Sequence, residues 1–484
     1  MKNLILSSLI YTSCFCSAQK QDNNWCFGDS CGINFSDTTA TFFTSASSFD
    51  TTLSNLNLEN ISSISDSAGN LLFYSNGSIV WNANHEIMQN GLGLYSNTSV
   101  TNGSLIIQRP NDSSLYYLFH INNYIDHFGL FYALVDMNLD QGLGGVVSGQ
   151  KNVTVYHGHI GEKLSAVKHA NGRDWWIIVR KDETNDFYTY LLTPDSIALF
   201  SILTIGTIAA LSDQGEMTFS HSGEKLALVG YDGIINLFDF DRCTGAISNF
   251  IDLSDSSDLY YYGCSFSLGG LKLYVSTFKY LYQFDLTDSN IIDSKQLIWT
   301  NPYYIFPYDE FLLCEHQITP DGRIFIPLAH NMSQNVPDTF INKSLCVINN
   351  PDEVGAACNF IPNEIYLGGH HADYGLPNSP NYNLGALEGS ACDTLATSVS
   401  KNIFSKTISL YPNPFTNEVT ISMKNLNKGK CYLEVYEVAG KQVCRQPLKS
   451  SSTSLNLGYL QNGMYLYQVK EENEVVWRGK MVKE

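Results

Sequence analysis

The residues of this sequence whose types could do chemistry are two histidine pairs and a set of aspartates in glycine-rich turns. His157-Gly158-His159 and His370-His371 could each supply two metal ligands, but no third ligand follows at a spacing that completes a site. An aspartate in a turn could act as an acid, yet it more often accepts hydrogen bonds from its own backbone. These turn aspartates are Asp66, Asp213, Asp232 and Asp321. We therefore predict no metal and no cofactor, and we assign no catalytic residue.

Motifs that would define a known catalytic mechanism are missing from the sequence. It contains no Gly-x-Ser-x-Gly nucleophile turn, no phosphate-binding P-loop and no dinucleotide-binding glycine motif. The acidic stretch 252–258 lacks the spacing and the glycine of an EF-hand calcium loop. We predict that this stretch is a solvated loop.

A glycine turn followed by an apolar strand recurs along most of the chain and must position any site in it. The turn glycines Gly172, Gly223, Gly270 and Gly322 follow one another at intervals of 51, 47 and 52 residues. A repeat of this length with paired strands is typical of a propeller blade, and the aromatic content of 13% also favours strands. We predict an all-β propeller of about seven blades. A solenoid or several sandwiches would be the alternative architecture.

The last clear copy of the repeat resembles a known class of turn. Thr319-Pro320-Asp321-Gly322, followed by an apolar strand, resembles the turn of WD40-like and lactonase-type propellers. The other copies match this motif less well. The resemblance supports the fold and implies no particular function.

The end of the chain, from residue 406 to residue 484, has the pattern of a separate small domain. Pro412 and Pro414 each fix their own φ and push the preceding residue toward extended geometry, which predicts a stiff entry. Short runs of alternating apolar and polar residues follow, with a turn at Gly440. This pattern predicts an Ig-like antiparallel β-sandwich of about seven strands.

Four motifs of this small domain resemble the type A C-terminal sorting domain of the Bacteroidetes type IX secretion system. They are Tyr411-Pro412-Asn413-Pro414, Leu433-x-Val435-Tyr436 with Gly440, Leu460-x-x-Gly463-Met464-Tyr465, and the tail Lys480-Met481-Val482-Lys483. Glu484, an acidic residue after the tail, departs from the family pattern. The resemblance implies that the type IX export machinery is a partner. The implied sorting residues are Tyr411, Pro412, Asn413, Pro414, Gly440, Gly463, Tyr465, Lys480, Val482 and Lys483.

The amino terminus also predicts export. Lys2, an apolar run over 4–11 and the small residues ending at Ala18 form a secretory signal peptide with cleavage after Ala18, and a lipoprotein signal using Cys14 ranks second. No later run reaches the roughly 18 apolar residues needed to span a bilayer, so we predict no transmembrane segment. The predicted parts are a signal peptide 1–18, a propeller 19–385, a linker 386–405 and the sorting domain 406–484.

Charge is divided unevenly along the chain. Residues 406–484 hold 11 basic and 7 acidic residues, a net charge of +4. The remainder holds 28 − 11 = 17 basic and 47 − 7 = 40 acidic residues, a net charge of −23. An acidic body repels phosphates, so we predict no nucleic-acid partner.

Ten of the 12 cysteines remain once the signal peptide is removed. Export places them in an oxidising compartment, where some should form disulfides. We predict a bond between Cys243 and Cys264, which lie in neighbouring repeats. The other candidate pairs are Cys26 with Cys31 and Cys346 with Cys358.

Two functions are compatible with this organisation. The first is a secreted protein, extracellular or on the outer cell surface, whose propeller is a binding or adhesion platform for a glycan or a protein. The alternative is a secreted hydrolase or lyase that acts on a sugar or a lactone through acids at the propeller axis. An axis plugged by apolar side chains, or a row of exposed aromatic residues on one face, would favour binding. Carboxylates that converge with a histidine in an open channel would favour the enzyme.

Overall fold

The computed structural model describes most of the chain, in two compact units that comprise residues 1–395 and 396–484. The described residues are 20–36, 40–47, 59–123, 127–208, 214–255, 258–304, 311–330, 340–393, 407–424, 431–437, 441–471 and 474–484. Among them, no helix has the length and apolar character needed to cross a membrane. The predicted cleavage site at Ala18 lies outside the described residues.

The first unit is built from antiparallel sheets that follow one another along the chain, here called blades 1 to 7. Blade 1 contains β1 (Asn24–Phe27), β2 (Cys31–Asn34) and β3 (Thr41–Thr44). Blade 2 contains β4 (Ser62–Ser65), β5 (Leu71–Ser75), β6 (Ile79–Asn82) and β7 (Ile87–Leu92). Blade 3 contains β8 (Ser104–Gln108), β9 (Leu115–Asn122), β10 (Gly129–Asp136), β11 (Gly145–Val146) and β12 (Val153–His157). Parallel pairing of β11 with β7 joins blades 2 and 3.

The remaining blades have the same meander. Blade 4 contains β13 (Leu164–Lys168), β14 (Trp175–Arg180), β15 (Asp186–Leu192) and β16 (Ile197–Thr204). Blade 5 contains β17 (Met217–Phe219), β18 (Lys225–Gly230), β19 (Ile234–Asp241) and β20 (Ala246–Asp252). Blade 6 contains β21 (Tyr261–Phe266), β22 (Lys272–Thr277), β23 (Tyr280–Asp285) and β24 (Gln296–Thr300). Blade 7 contains β25 (Phe311–Leu313), β26 (Gln317–Ile318), β27 (Ile324–His330), β28 (Ser344–Ile348) and β29 (Phe360–Tyr366). Three short 3₁₀ helices occur at Asp140–Gly142, Ile292–Ser294 and Gly355–Cys358.

The first strands of successive blades contact one another, so the blades form a ring. These contacts run from β1 to β4, β8, β13, β17, β21 and β26. Blade 7 then packs on blade 1, where the rings of Trp25 and Phe325 lie 5.9 Å apart within one apolar core. The predicted all-β propeller is confirmed. Strands β1, β2 and β3 form a three-stranded blade of their own, separate from blade 7.

The repeat detected in the sequence corresponds to one turn of each blade. Gly172, Gly223, Gly270 and Gly322 lie between the first and second strands of blades 4 to 7, with φ of 74°, 75°, 69° and 87°. A residue with a Cβ rarely adopts this left-handed region, which explains the glycine at each turn. We call the end of the ring that carries these turns the lower face, and the end where the first strands begin the upper face.

A segment from Ala372 to Leu384, here called the axial segment, runs inside the ring. The backbone N–H of Asn378 donates to the Ile61 carbonyl of blade 2 at 2.9 Å, and its Nδ2 donates to the Leu164 carbonyl of blade 4 at 2.9 Å. The Tyr382 hydroxyl donates to the Ile106 carbonyl of blade 3 at 2.7 Å. Because first strands on several sides bind it, this segment occupies the axis. Its apolar side chains, Ala372, Tyr374, Leu376 and Tyr382, are buried there.

A disulfide fixes the chain just after it leaves the axis. Cys243, in the turn between β19 and β20, is bonded to Cys392, and their Cα atoms are 5.5 Å apart. The predicted partner was wrong, since Cys264 is a buried thiol in the first strand of blade 6. The sequence places Cys243 and Cys392 149 residues apart, and the axial segment brings them together. The other candidates, Cys26, Cys31, Cys346 and Cys358, also carry free thiols.

The second unit is a β-sandwich, as predicted. One sheet contains β30 (Thr407–Tyr411), β31 (Glu418–Lys424) and β34 (Ser452–Asn456). The other contains β33 (Gln442–Leu448), β32 (Cys431–Glu437), β35 (Gly463–Glu471) and β36 (Glu474–Lys483). Val419 and Ile421 of the first sheet share a core with Leu433, Val435 and Val469 of the second.

Candidate functional site

Two of the turn aspartates, Asp66 and Asp321, accept hydrogen bonds within their own turns. Asp66 Oδ1 accepts the N–H groups of Ala68 and Asn70 at 2.8 and 2.9 Å. Slight desolvation raises its pKa, but these hydrogen bonds outweigh that effect and lower it. Asp321 is bound by the Arg323 guanidinium in the turn before β27.

The remaining turn aspartates are Asp232 and Asp213. Asp232 lies in the turn between β18 and β19, on the upper face. Asp213 lies outside the described residues.

The two histidine pairs lie in different parts of the ring. His370 Nδ1 lies 3.1 Å from the Asp29 carbonyl, and the His371 carbonyl accepts the Asp29 N–H at 3.0 Å, so this pair connects blade 7 to blade 1. His159 packs on Phe128, with ring centres 4.1 Å apart, and His157 ends β12. Within the described parts of the chain, no group of three or more His, Cys, Asp or Glu residues could hold a metal ion.

The acidic stretch 252–258 is held by a lysine. Lys295 Nζ lies 3.0 Å from Asp255 and 3.3 Å from Asp258, and it also donates to the Tyr261 hydroxyl at 2.9 Å. The Tyr282 hydroxyl donates to Asp258 at 2.7 Å. The loop is therefore fastened to blade 6 by ion pairs, where the sequence predicted only solvation.

Four buried glutamates, which the sequence analysis missed, lie at the upper end of the axis. All four are buried, and each lies one to three residues before a strand. They are Glu59 before β4, Glu162 before β13, Glu216 before β17 and Glu315 before β26. Their offsets from the strands differ, so no fixed spacing in the sequence marks them.

Each of these glutamates accepts hydrogen bonds from another part of the ring. Glu216 accepts the N–H groups of Cys264 and His316, at 2.6 and 2.9 Å. Glu315 accepts the N–H of Leu376 in the axial segment at 2.9 Å. These glutamates therefore link blades to one another and to the axial segment.

Burial sets the protonation of this glutamate cluster. Desolvation, and then repulsion from Glu162, raises the pKa of Glu59 to about 8, while desolvation raises that of Glu216 to about 8. Desolvation and repulsion from Glu216 also raise the pKa of Glu315. With a pKa of about 8, Glu59 and Glu216 hold their protons at neutral pH, which reduces the cost of burying them.

Aromatic side chains cover the upper face beside these glutamates. We call Tyr231, Tyr260, Tyr262, Phe278 and Tyr374 the aromatic cluster. The rings of Tyr260 and Phe278 are nearly parallel, 6.1 Å apart, and Tyr231 packs edge-on against both, at 5.8 and 5.5 Å. Tyr260 is 49% exposed, whereas Tyr262 and Tyr374 are buried beneath it. The cluster thus begins at solvent and ends at the axis.

Tyr260 is held in an unusual backbone conformation. Its φ is +65°, a region that residues other than glycine rarely adopt. Its N–H donates to the Tyr231 carbonyl at 2.8 Å, which ties it to the turn of blade 5. Such conformations are often found at binding sites, where the surrounding structure maintains them.

A cavity of about 310 Å3 lies beside the axial segment toward the lower face. Asp22, Glu216 and His316 are among the residues that line it. Burial raises the pKa of Asp22 to about 7, although the Trp25 indole N–H donates to its carboxylate at 3.0 Å. Burial lowers the pKa of His316 to about 3, so this ring is neutral, and its Nε2 lies 2.8 Å from the Ser276 hydroxyl.

Four of the predicted sorting residues, Asn413, Lys480, Val482 and Lys483, belong to the entry motif and the tail, which meet at one edge of the second unit. Asn413 Nδ2 donates to the Lys480 carbonyl at 3.1 Å, and the Val482 N–H donates to Asn413 Oδ1 at 2.8 Å. Lys483 lies over the Phe415 ring, with Nζ 6.0 Å from its centre. The entry motif is therefore hydrogen-bonded to the tail.

The other sorting residues have varied positions. Tyr411 is exposed, Pro412 and Pro414 follow cis peptide bonds, and Gly463 begins β35. The Tyr465 hydroxyl donates to the Gln461 carbonyl at 2.9 Å. Gly440 lies outside the described residues.

Comparison with known families identifies this second unit. Residues 409–484 match the family described as secretion system C-terminal sorting domain. This part of the chain is therefore a sorting domain of the predicted type IX kind, and such a domain implies export to the cell surface or the extracellular space. No curated protein matches the chain.

Solved structures align with the chain at low similarity. A functionally unknown protein from Desulfotomaculum acetoxidans is 11% identical, covering 74% of this chain and 86% of its own, with a TM-score of 0.36. The Cps50 (Swd1) β-propeller domain of Myceliophteria thermophila is 12% identical, covering 64% and 94%, with a TM-score of 0.36. A gluconolactonase from Xanthomonas campestris is 13% identical, covering 64% and 93%, with a TM-score of 0.31. The strand order itself, rather than these alignments, defines the propeller.

Proposed function

We propose that the exported propeller is a binding module whose aromatic cluster contacts a neutral polysaccharide. The observation that carries this proposal is Tyr260, an exposed aromatic side chain fixed at a positive φ and packed against two further rings. A ring that is already ordered loses little conformational entropy on binding. Aromatic faces offer a large apolar area, and tyrosine hydroxyls add hydrogen bonds at the rim.

The occupied axis favours binding over catalysis. The axial segment fills the place where an open channel would be, and its apolar side chains are buried there. The carboxylates that converge at the upper end accept backbone N–H groups, as Glu216 and Glu315 do. An acid committed to such bonds is poorly placed to transfer a proton to a substrate.

The charge of the propeller favours a neutral ligand at this surface. The chain outside the sorting domain has a net charge of −23, which disfavours the approach of a polyanion. The C–H faces of a neutral sugar ring can pack on Tyr260 and Phe278 without any ionic contact. A neutral surface polysaccharide is therefore the ligand class that this surface fits best.

Binding of neutral polysaccharides to the full mature chain, immobilised and measured by surface plasmon resonance, tests this proposal. Tyr260→Ala should weaken binding about tenfold, since a stacking contact contributes roughly 1 kcal/mol beyond its area. Tyr366→Ala is the matched control, because Tyr366 is 47% exposed but lies on β29, the outer strand of blade 7. Equal binding by the two variants, or no binding to any neutral polysaccharide, would refute the proposed surface.

A hydrolase or lyase that acts on a sugar or lactone remains the second candidate, and the cavity beside the axial segment favours it. Asp22 lines this cavity with a pKa of about 7, a value suited to proton transfer near neutral pH. The test is the release of reducing ends from polysaccharides, or the opening of lactones, by the mature protein. Activity that is lost in Asp22→Asn with an unchanged melting temperature would establish the enzyme, and absence of turnover by the wild type would exclude it.

A further inference from the structure

A second pocket, of about 410 Å3, lies on the lower face between blades 3 and 4. Arg109, Lys168 and Arg173 line it, together with Trp175 and Tyr382. The chain outside the sorting domain has 17 basic against 40 acidic residues. The lining of this pocket therefore has more basic than acidic residues, the opposite of the chain outside the sorting domain.

Lys168 is a cation of this pocket, and no carboxylate of the described residues is bound to it. Its Nζ donates to the Tyr382 carbonyl at 3.0 Å and lies 5.4 Å from the centre of the Trp175 ring. Both partners are uncharged. Burial, and then the nearby Arg242 guanidinium, lowers the pKa of Lys168 to about 8, so its charged form would gain from an added anion.

The other charged residues of the lining have different partners. Arg173 is paired with Asp174, at 2.7 and 2.9 Å. Arg109 instead donates through Nε and Nη2 to the Pro194 carbonyl, at 3.0 and 2.8 Å. Asp112 also lines the pocket, and its Oδ1 is bonded to the N–H and hydroxyl of Ser114. Lys168 and Arg109 thus share the pocket with one carboxylate, that of Asp112, and the Arg242 guanidinium adds positive charge beside Lys168.

We propose that this pocket binds a uronate, a sugar acid whose carboxylate lies between Arg109 and Lys168 and whose hydroxyl groups face the polar side chains of the lining. These polar side chains are Gln108, Asn111 and Ser113. The remaining N–H groups of a guanidinium suit a planar carboxylate, and amide and hydroxyl side chains suit the hydroxyl groups of a sugar. A polyanion such as nucleic acid fits poorly, because the acidic surroundings repel its further phosphates.

Calorimetric titration of the full mature chain with glucuronate, and with glucose at the same ionic strength, tests this assignment. Glucuronate should bind and glucose should not. An oligogalacturonide in a third titration should bind more weakly than glucuronate, because the acidic surroundings repel its further carboxylates. Inorganic phosphate is the competitor, and it should displace glucuronate only weakly.

Two lysine variants make the test specific to the site. Lys168→Met should lower the affinity for glucuronate at least tenfold. Lys181→Met is the control and should leave this affinity unchanged. It removes the same charge from a half-buried lysine in the upper-face turn between β14 and β15. Arg109→Gln serves as the second site variant if Lys168→Met does not fold. Equal loss in the site and control variants, binding of glucose, or equally tight binding of phosphate would each overturn the proposal.

Chemical labelling of lysines tests the same site in the wild-type protein. Lys168 should be acetylated by acetic anhydride at pH 8 and protected by glucuronate, as measured by mass spectrometry of its peptide. Protection of Lys168 without protection of Lys181 supports the site. Equal protection of both, or of neither, contradicts it.

Discussion

The bond between Cys243 and Cys392 should be a major source of the propeller's stability. It closes a loop of 149 residues, which includes blades 6 and 7 and the axial segment. In the chain-entropy model, a loop of this length restricts the unfolded chain by about 5 kcal/mol at 25 °C. Loss of the bond should also loosen the chain after Leu387, whose N–H is bonded to the Ala170 carbonyl at 2.8 Å.

The assay is urea unfolding of the mature oxidised protein, followed by tryptophan fluorescence. The Cys392→Ser variant and the reduced wild type should both unfold at clearly lower urea than the oxidised wild type, by a similar amount. Cys264→Ala is the matched control, because it removes a buried thiol that has no disulfide. It should lose only the packing of one small side chain.

Two results would refute this reasoning. One is a Cys392→Ser variant that unfolds at the same urea concentration as the oxidised wild type. The other is a non-reducing peptide map that joins Cys243 to Cys264 rather than to Cys392, which would restore the pairing predicted from the sequence.

Three further predictions concern the glutamate cluster and the sorting domain. Because the pKa values of Glu59 and Glu216 rise from 4.5 to about 8 on folding, the folded ring keeps protons that the unfolded chain loses. The free energy of unfolding should therefore fall from pH 6.5 to pH 8, by up to about 1.4 kcal/mol per pH unit for each carboxyl, and pH-dependent thermal melts that show a rise would contradict this. Asn413→Ala should remove two hydrogen bonds to the tail and destabilise the sorting domain by about 2 kcal/mol in urea unfolding; an unchanged transition would show that these bonds contribute nothing. Deletion of 480–484 should leave the melting of the propeller unchanged while the protein accumulates in the periplasm, and fractionation that still finds it at the surface would reject the sorting role.

Local sequence pattern was sufficient to predict the architecture. The turn glycines at positions such as Gly223 and Gly322 are required by a left-handed backbone, which depends on a few neighbouring bonds. Alternation of apolar and polar residues has the period of a strand, which is also a local property. For the same reason the sorting domain could be recognised from short motifs such as Tyr411 to Pro414.

The candidate sites could not be predicted in this way, because their residues meet only when the ring closes. Glu216 and Glu315 are far apart in the sequence, and nothing local indicates that both turn toward one axis. The same is true of Arg109 and Lys168, which belong to different blades.

The sequence by itself determined the strands, their repeat and the sorting domain, since each follows from the preferences of adjacent residues. The tertiary structure alone decided the course of residues 372–384 and the disulfide that follows them. That segment is rich in Pro and Asn, a composition that favours irregular backbone and gives no direction in space. Its place inside the ring depends on hydrogen bonds to Ile61, Ile106 and Leu164, three separate blades that only the closed propeller brings together.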